Sequence, residues 1–110
     1  LIRYDKNKKI VEKAITHYQS IDSNNNYTLF KLKPITGRKH QIRKHLIDLN
    51  CPVVGDTKYF INKPKKRHEL MLHAYEIKFI LNNIKYTFKA NIPKHFKNFL
   101  IKNNLKQKDF

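Results

Sequence analysis

The stretch that decides the fold runs Thr36-Gly37-Arg38-Lys39-His40-Gln41-Ile42-Arg43-Lys44-His45-Leu46. Two Arg, two Lys, two His and one Gln surround a single apolar stripe here. Ile42, Leu46 and Leu49 fall at i, i+4 and i+7, which is one face of a helix and predicts α-structure from Arg38 to Asn50. Thr36 is placed to cap it, and Gly37 eases the chain into the first turn. Cys51-Pro52 should end it, because proline disfavours helix in the residue before it.

Outward from that helix the pattern changes to alternation. Lys13 to Ile21 and Tyr27 to Ile35 read as strands, joined across the polar run Asp22-Ser23-Asn24-Asn25-Asn26 as an antiparallel hairpin. Tyr4-Asp5-Lys6-Asn7-Lys8 reads as a turn. After the helix, Pro52 to Phe60 is a loop around Gly55-Asp56, and Asn62 to Arg67 is a basic loop. Leu70 to Ile80 and Ile84 to Ala90 alternate on either side of Asn82-Asn83, which suits a tight hairpin turn. Pro93 opens a last helix through Asn103 with Phe96, Phe99 and Leu100 on its apolar face. The fold class is α+β, an antiparallel or mixed sheet with flanking helices, and residues 1–110 form one partial domain.

Composition points to a polyanion. The 110 residues carry 24 Lys plus Arg against 8 Asp plus Glu, for a net charge of +16 and a pI near 10.1. No apolar run approaches the ~20 residues that a spanning helix needs, so a membrane partner is not expected. Cys51 is the one cysteine and cannot form an internal disulfide. A reducing compartment, the cytoplasm, is therefore expected. The chain opens on Leu1 and its single methionine is Met71, which predicts a piece of a longer protein.

The charge on the central helix works against local stability. Arg38, Lys39, His40 and Arg43 crowd its first two turns, where each cation costs about 0.3–1 kcal/mol unless an anion is present. Such a consistent violation marks a site for an anion. Ile42 should point inward. Arg43 then sits at the edge of the buried face, where an arginine needs a carboxylate or phosphate partner. Asp48, five residues on, is poorly placed for a helical pair, so the partner must come from elsewhere.

These residues closely resemble the third signature motif of RluA-type pseudouridine synthases, through Thr36-Gly37-Arg38, His40-Gln41-Ile42-Arg43 and His45-Leu46. The likeness continues in order through Pro52-Val53-Val54-Gly55-Asp56, Tyr59 and Leu72-His73-Ala74. Lys13-Ala14, Thr16 and Tyr18 look like the strand before the motif, and Pro93 with Phe96 like the family's closing helix. The match spans roughly residues 11 to 100. The resemblance implies a cofactor-free isomerisation of uridine to pseudouridine in structured RNA, on a nucleotide flipped out of its stack. Ribosomal RNA of the large subunit stands ahead of transfer RNA as substrate. It also implies that Arg43 pairs with the attacking aspartate and that Ile42 packs near the uracil. Arg38, Lys39, His40, Gln41, Lys44 and His45 become candidates for RNA contact or for buttressing the site. Lys63, Lys65, Lys66 and Arg67 would add RNA-binding charge.

One departure matters. The family's aspartate sits in an Arg-Leu-Asp block well upstream of the motif, and no such block occurs here. Asp56 reads as structural, and Tyr18 is on the wrong strand to stand in for the tyrosine that accompanies the aspartate. The chain is thus expected to be the C-terminal part of a catalytic domain, inactive alone, whose partner is the upstream half. The competing class is a non-catalytic basic RNA-binding module. A metal site is disfavoured, since one Cys and six His without tight pairing make no zinc pattern. Cys51 is expected to be a small buried side chain at a helix end, and His73 a hydrogen-bonded structural residue.

Overall fold

A computed structural model describes residues 1–62 and 68–107. Three antiparallel hairpins and two helices follow one another: β1 (Ile2–Asp5), β2 (Lys8–Val11), β3 (Thr16–Ser23), β4 (Thr28–Pro34), α1 (Gln41–Asp48), β5 (Glu76–Leu81), β6 (Ile84–Lys89) and α2 (Lys94–Lys102). The α+β class is as expected. A mixed sheet is not present among the described residues, where each strand pairs only with its hairpin partner.

Two turns show why the hairpins close. Lys6-Asn7 and Asn82-Asn83 all have positive φ, between 47° and 67°, the geometry of a two-residue type I′ turn. Asparagine tolerates that region better than most side chains. The first of these corrects the reading of Tyr4 to Lys8 as a plain turn: strands flank it on both sides. Between β3 and β4, Asn24 Oδ1 accepts the backbone N–H of Asn26 and of Tyr27, both at 2.9 Å. A bulge between Ser20 and Asp22 leaves Ile21 without a cross-strand partner and turns it into the core.

Both helices end by the same device. Asn50 (φ 59°) and Asn104 (φ 57°) are left-handed residues just past the last turn. Cys51 N–H donates to Leu46 C=O at 2.8 Å and Asn50 N–H to Ile47 C=O at 3.0 Å; Leu105 and Asn104 repeat the pattern on Leu100 and Ile101. These are Schellman motifs with asparagine where glycine is usual. The stop signal for α1 is therefore Asn50 rather than the Cys51-Pro52 pair. Cys51 itself is exposed, contrary to expectation, because its backbone makes the cap while its side chain faces solvent.

The core is small: among the described residues, Ile21, Leu46, Phe99, Leu100 and Leu105 are its buried apolar side chains. Phe99 of α2 packs edge-on against Tyr27 and His68, with ring centroids 5.0 and 5.5 Å away. Asn24 Nδ2 donates to Asn103 C=O, fastening the β3–β4 turn to the end of α2. The β5–β6 hairpin is two-faced. Its register puts Ile77 opposite Phe88, Phe79 opposite Tyr86 and Leu81 opposite Ile84 on one side. Glu76 faces Lys89, and Lys78 faces Thr87, on the other. The apolar side stands open, with Phe79 41% and Phe88 57% exposed. The radius of gyration, 15.9 Å, exceeds the ~13 Å of a compact domain of this length. Residues 70–75, expected as strand, precede β5 as irregular chain. His73 Nε2 lies 3.2 Å from Ala90 C=O, in the structural role expected of it.

Candidate active site

The segment from Thr36 to Leu46 is organised around a residue that sequence alone makes unremarkable. Gln41 is the first helical residue of α1 and only 4% exposed. Its Oε1 accepts the Thr36 hydroxyl at 2.6 Å and the Arg38 N–H at 3.0 Å. Its Nε2 donates to Ile15 C=O and to Thr16 Oγ1, both at 2.9 Å. All its hydrogen-bonding capacity is spent within the chain, so Gln41 has no surface to offer RNA. It locks the start of α1 to the β3–β4 hairpin. Thr16 Oγ1 also meets His45 Nδ1 at 2.8 Å, so His45 buttresses the same joint.

The helix starts later than its charge pattern suggests. Its N-cap is His40, in the left-handed region at φ 52° and without a side-chain cap. Thr36 does not cap; its Oγ1 accepts Ile15 N–H while donating to Gln41. Arg38 and Lys39 precede the helix. Arg38 pairs with Glu12 at 2.9 Å, and its Nε donates to Lys13 C=O at 3.1 Å. These contacts tether the turn to the chain after β2, while the side chain stays 43% exposed. His40 is pulled below its ordinary pKa of 6.5 by desolvation and by the neighbouring Arg43, Lys58, Lys39 and Lys44. The shift favours the neutral imidazole, which can still hydrogen-bond.

Arg43 has its carboxylate inside this chain. Nε donates to Asp56 Oδ2 at 2.8 Å and Nη2 to Asp56 Oδ1 at 2.7 Å, a side-on fork. The Asp56 side chain is fully buried. Its Oδ1 also accepts the backbone N–H groups of Lys58 and Tyr59, each at 2.9 Å. Hydrogen bonding from Arg43, aided by those two backbone donors, lowers the Asp56 pKa from 3.8 to about 2. The expectation that Arg43's partner lies outside the chain is corrected accordingly. The structural reading of Asp56 stands, and the reason is now specific. Gly55 (φ 85°) delivers it: a Cβ there would collide with the Glu69 carbonyl, against which the loop is laid.

Tyr59 completes the cluster. Arg43 Cζ lies 5.1 Å from its ring centroid, and Lys58 Nζ lies 5.5 Å away. Its hydroxyl is 3.2 Å from His40 Nδ1. Lys58 is a cation of this site that sequence reading did not single out; it stands two residues after Asp56. Ile42 takes a different direction. It lines an apolar groove of about 380 Å³ with Ala14, Ile15, Tyr18, Leu32 and Leu46, and Arg43 is not among the lining residues. Lys39 is exposed and Lys44 half-buried. Lys63, Lys65, Lys66 and Arg67 lie outside the described residues.

Comparison with known proteins gives this arrangement a lineage. Residues 2–48 match the family model for RNA pseudouridylate synthase. An uncharacterized RNA pseudouridine synthase of Helicobacter pylori is 40% identical over 93 residues, which is 84% of this chain and 36% of that protein. Ribosomal large subunit pseudouridine synthase D of Borreliella burgdorferi is 37% identical over 91 residues, covering 81% and 28%. The tRNA pseudouridine synthase C of Vibrio parahaemolyticus is 41% identical over 75 residues, covering 60% and 30%. The chain thus spans about a third of the length of the curated relatives it matches. The chain belongs to the RluA-type RNA pseudouridine synthases, a family of isomerases.

Proposed function

We propose that this chain is the C-terminal part of the catalytic domain of an enzyme that isomerises uridine to pseudouridine in structured cytoplasmic RNA. Large-subunit ribosomal RNA is the first choice of substrate and transfer RNA the second. In the reaction the C1′–N1 bond of uridine breaks, C1′ bonds to C5, C5 loses its proton and N1 gains one. An aspartate from the preceding half of the domain acts on the flipped-out nucleotide, and this chain supplies Arg43 to hold that carboxylate ionised. A guanidinium within about 4–6 Å lowers a carboxylate pKa by roughly 1–3 units.

The observation that carries the reading is the unused hydrogen-bonding capacity of Arg43. Asp56 occupies Nε and one hydrogen of Nη2. No hydrogen bond from Nη1 occurs among the described residues, and the side chain keeps 17% of its surface. Three N–H donors therefore remain for a second anion. The open apolar side of β5–β6 fits the same account, since relatives roughly two to three times as long have chain to cover it. In this reading Ile42, on its apolar groove, would meet an apolar or aromatic surface such as a base.

A concrete test compares the 110 residues with the full-length protein on a transcript of large-subunit ribosomal RNA, reading pseudouridine by selective chemical labelling, since the isomerisation itself leaves the mass unchanged. The full-length protein should form it and the 110 residues should not. Product from the 110 residues alone, or none from either, contradicts the reading. The competing reading, a non-catalytic RNA-binding module, draws on the net charge of +16 and predicts binding without product from both.

A further inference from the structure

We propose that Asp56 and Tyr59 are positioning residues that hold Arg43 in one orientation and leave only its outer Nη1–Nη2 edge for the reacting carboxylate. The inference rests on the function proposed above and adds the geometry of the contact. The carboxylate would be met end-on, because the side-on edge is taken.

Four groups make the brace, two from each side. Arg43 comes from α1 and His40 from its N-cap; Asp56 and Tyr59 come from the loop after it. Asp56 cannot swing, since its Oδ1 is held by the Lys58 and Tyr59 N–H groups as well as by Arg43. Tyr59 cannot swing freely either. Its N–H is on Asp56 and its hydroxyl lies 3.2 Å from His40, so its ring stays beside the guanidinium. His40 reaches that hydroxyl from a left-handed backbone, a conformation unfavourable for a non-glycine residue. An arginine held only by a surface carboxylate would sample many rotamers. Here the fork, the ring and the buried acid fix the plane of the guanidinium, which shifts the burden of orientation from the substrate complex to the free protein.

The test uses the full-length protein with Asp56→Asn, Tyr59→Ala and Tyr59→Phe. Three readouts are taken: single-turnover pseudouridine formation against pH, RNA affinity, and the Arg43 Nε–H resonance by NMR. The brace predicts a slowly exchanging Arg43 Nε–H in the wild type that is lost in Asp56→Asn. It predicts a rate fall of about 30-fold or more in Asp56→Asn with RNA affinity within about 3-fold, as expected when orientation rather than binding is lost. The acid limb of the rate should move to higher pH, because the reacting carboxylate loses part of its cation. Tyr59→Ala should slow the reaction more than Tyr59→Phe, which keeps the ring. Tyr59→Ala leaves every Asp56 side-chain bond in place, so it decides the matter if Asp56→Asn fails to fold. Wild-type rate with an unshifted acid limb in the folded variants overturns the proposal. So does parallel loss of rate and affinity without a shift, which marks a merely structural pair. A wild type that makes no pseudouridine yet shows the protected Nε–H counts against the proposed function and leaves the brace intact; an unprotected Nε–H refutes the brace itself.

Discussion

Replacing Gln41 by alanine should damage the fold far more than RNA binding. The side chain satisfies four groups at once: the Thr36 hydroxyl, Arg38 N–H, Ile15 C=O and Thr16 Oγ1. A buried group left without its partner costs about 1–3 kcal/mol. The two hydroxyls can turn to other partners, so the backbone N–H and C=O carry most of the penalty. The expected loss is about 3 kcal/mol, added to the rearrangement of the β3–β4 joint. Gln41→Glu should be nearly as costly, since it replaces the Nε2 donor with an acceptor facing the Ile15 carbonyl. Urea unfolding of the full-length protein, followed by far-ultraviolet circular dichroism, reads the change in midpoint. RNA affinity measured on the folded variants at two salt concentrations should stay within about 3-fold of wild type, because no phosphate contact is lost. An unchanged urea midpoint together with weakened RNA binding would refute the reasoning and return Gln41 to the RNA surface.

Three further outcomes follow from other parts of the molecule. Asn50→Val should lower stability by about 1–2 kcal/mol, because a β-branched residue resists the left-handed region, while Asn50→Gly should be neutral or slightly stabilising; thermal unfolding separates the two. Asp56 has a folded pKa of about 2 against 3.8, so its stabilisation is fully present above pH ~4 and is lost as pH falls through about 2. That loss amounts to about 2 kcal/mol, and an acid titration of stability in wild type against Asp56→Asn measures it. Lys65→Ala with Lys66→Ala should weaken RNA binding and reduce its salt slope by about 2, while turnover at saturating RNA is unchanged.

The parts of the fold that were legible in the sequence are those written in local chemistry. Asn82-Asn83 announced the β5–β6 turn, the polar run before Tyr27 announced the β3–β4 turn, and Phe99 and Leu100 marked the inner face of α2. The start of α1 was misplaced because its apolar period begins only at Ile42, and nothing local says that His40 turns left-handed. The β1–β2 hairpin was missed because four-residue strands are too short for alternation to register. Gln41 and Asp56 were hidden for a different reason: their partners are long-range. Gln41 reaches back 25 and 26 residues, and Arg43 reaches forward 13. One signal was available. Asp56 is an isolated acid behind a glycine in a strongly basic chain, and Gly55 proves indispensable to its delivery.

The basic segment that dominated the sequence is therefore mostly architecture. Arg38, Gln41 and His45 join the helix to the hairpin, and His40 lies within hydrogen-bond distance of Tyr59; under the proposed function, Lys39, Lys44 and Lys58 are the neighbouring cations that an RNA phosphate would meet. Arg43 is the residue on which the functional account turns. The direct test is the single-turnover rate of pseudouridine formation by full-length Arg43→Ala, with its fold checked by circular dichroism. The account predicts a fall of about 100-fold or more, equivalent to ~2.7 kcal/mol of transition-state stabilisation, with RNA affinity little changed. A folded Arg43→Ala protein that turns over at the wild-type rate would contradict it.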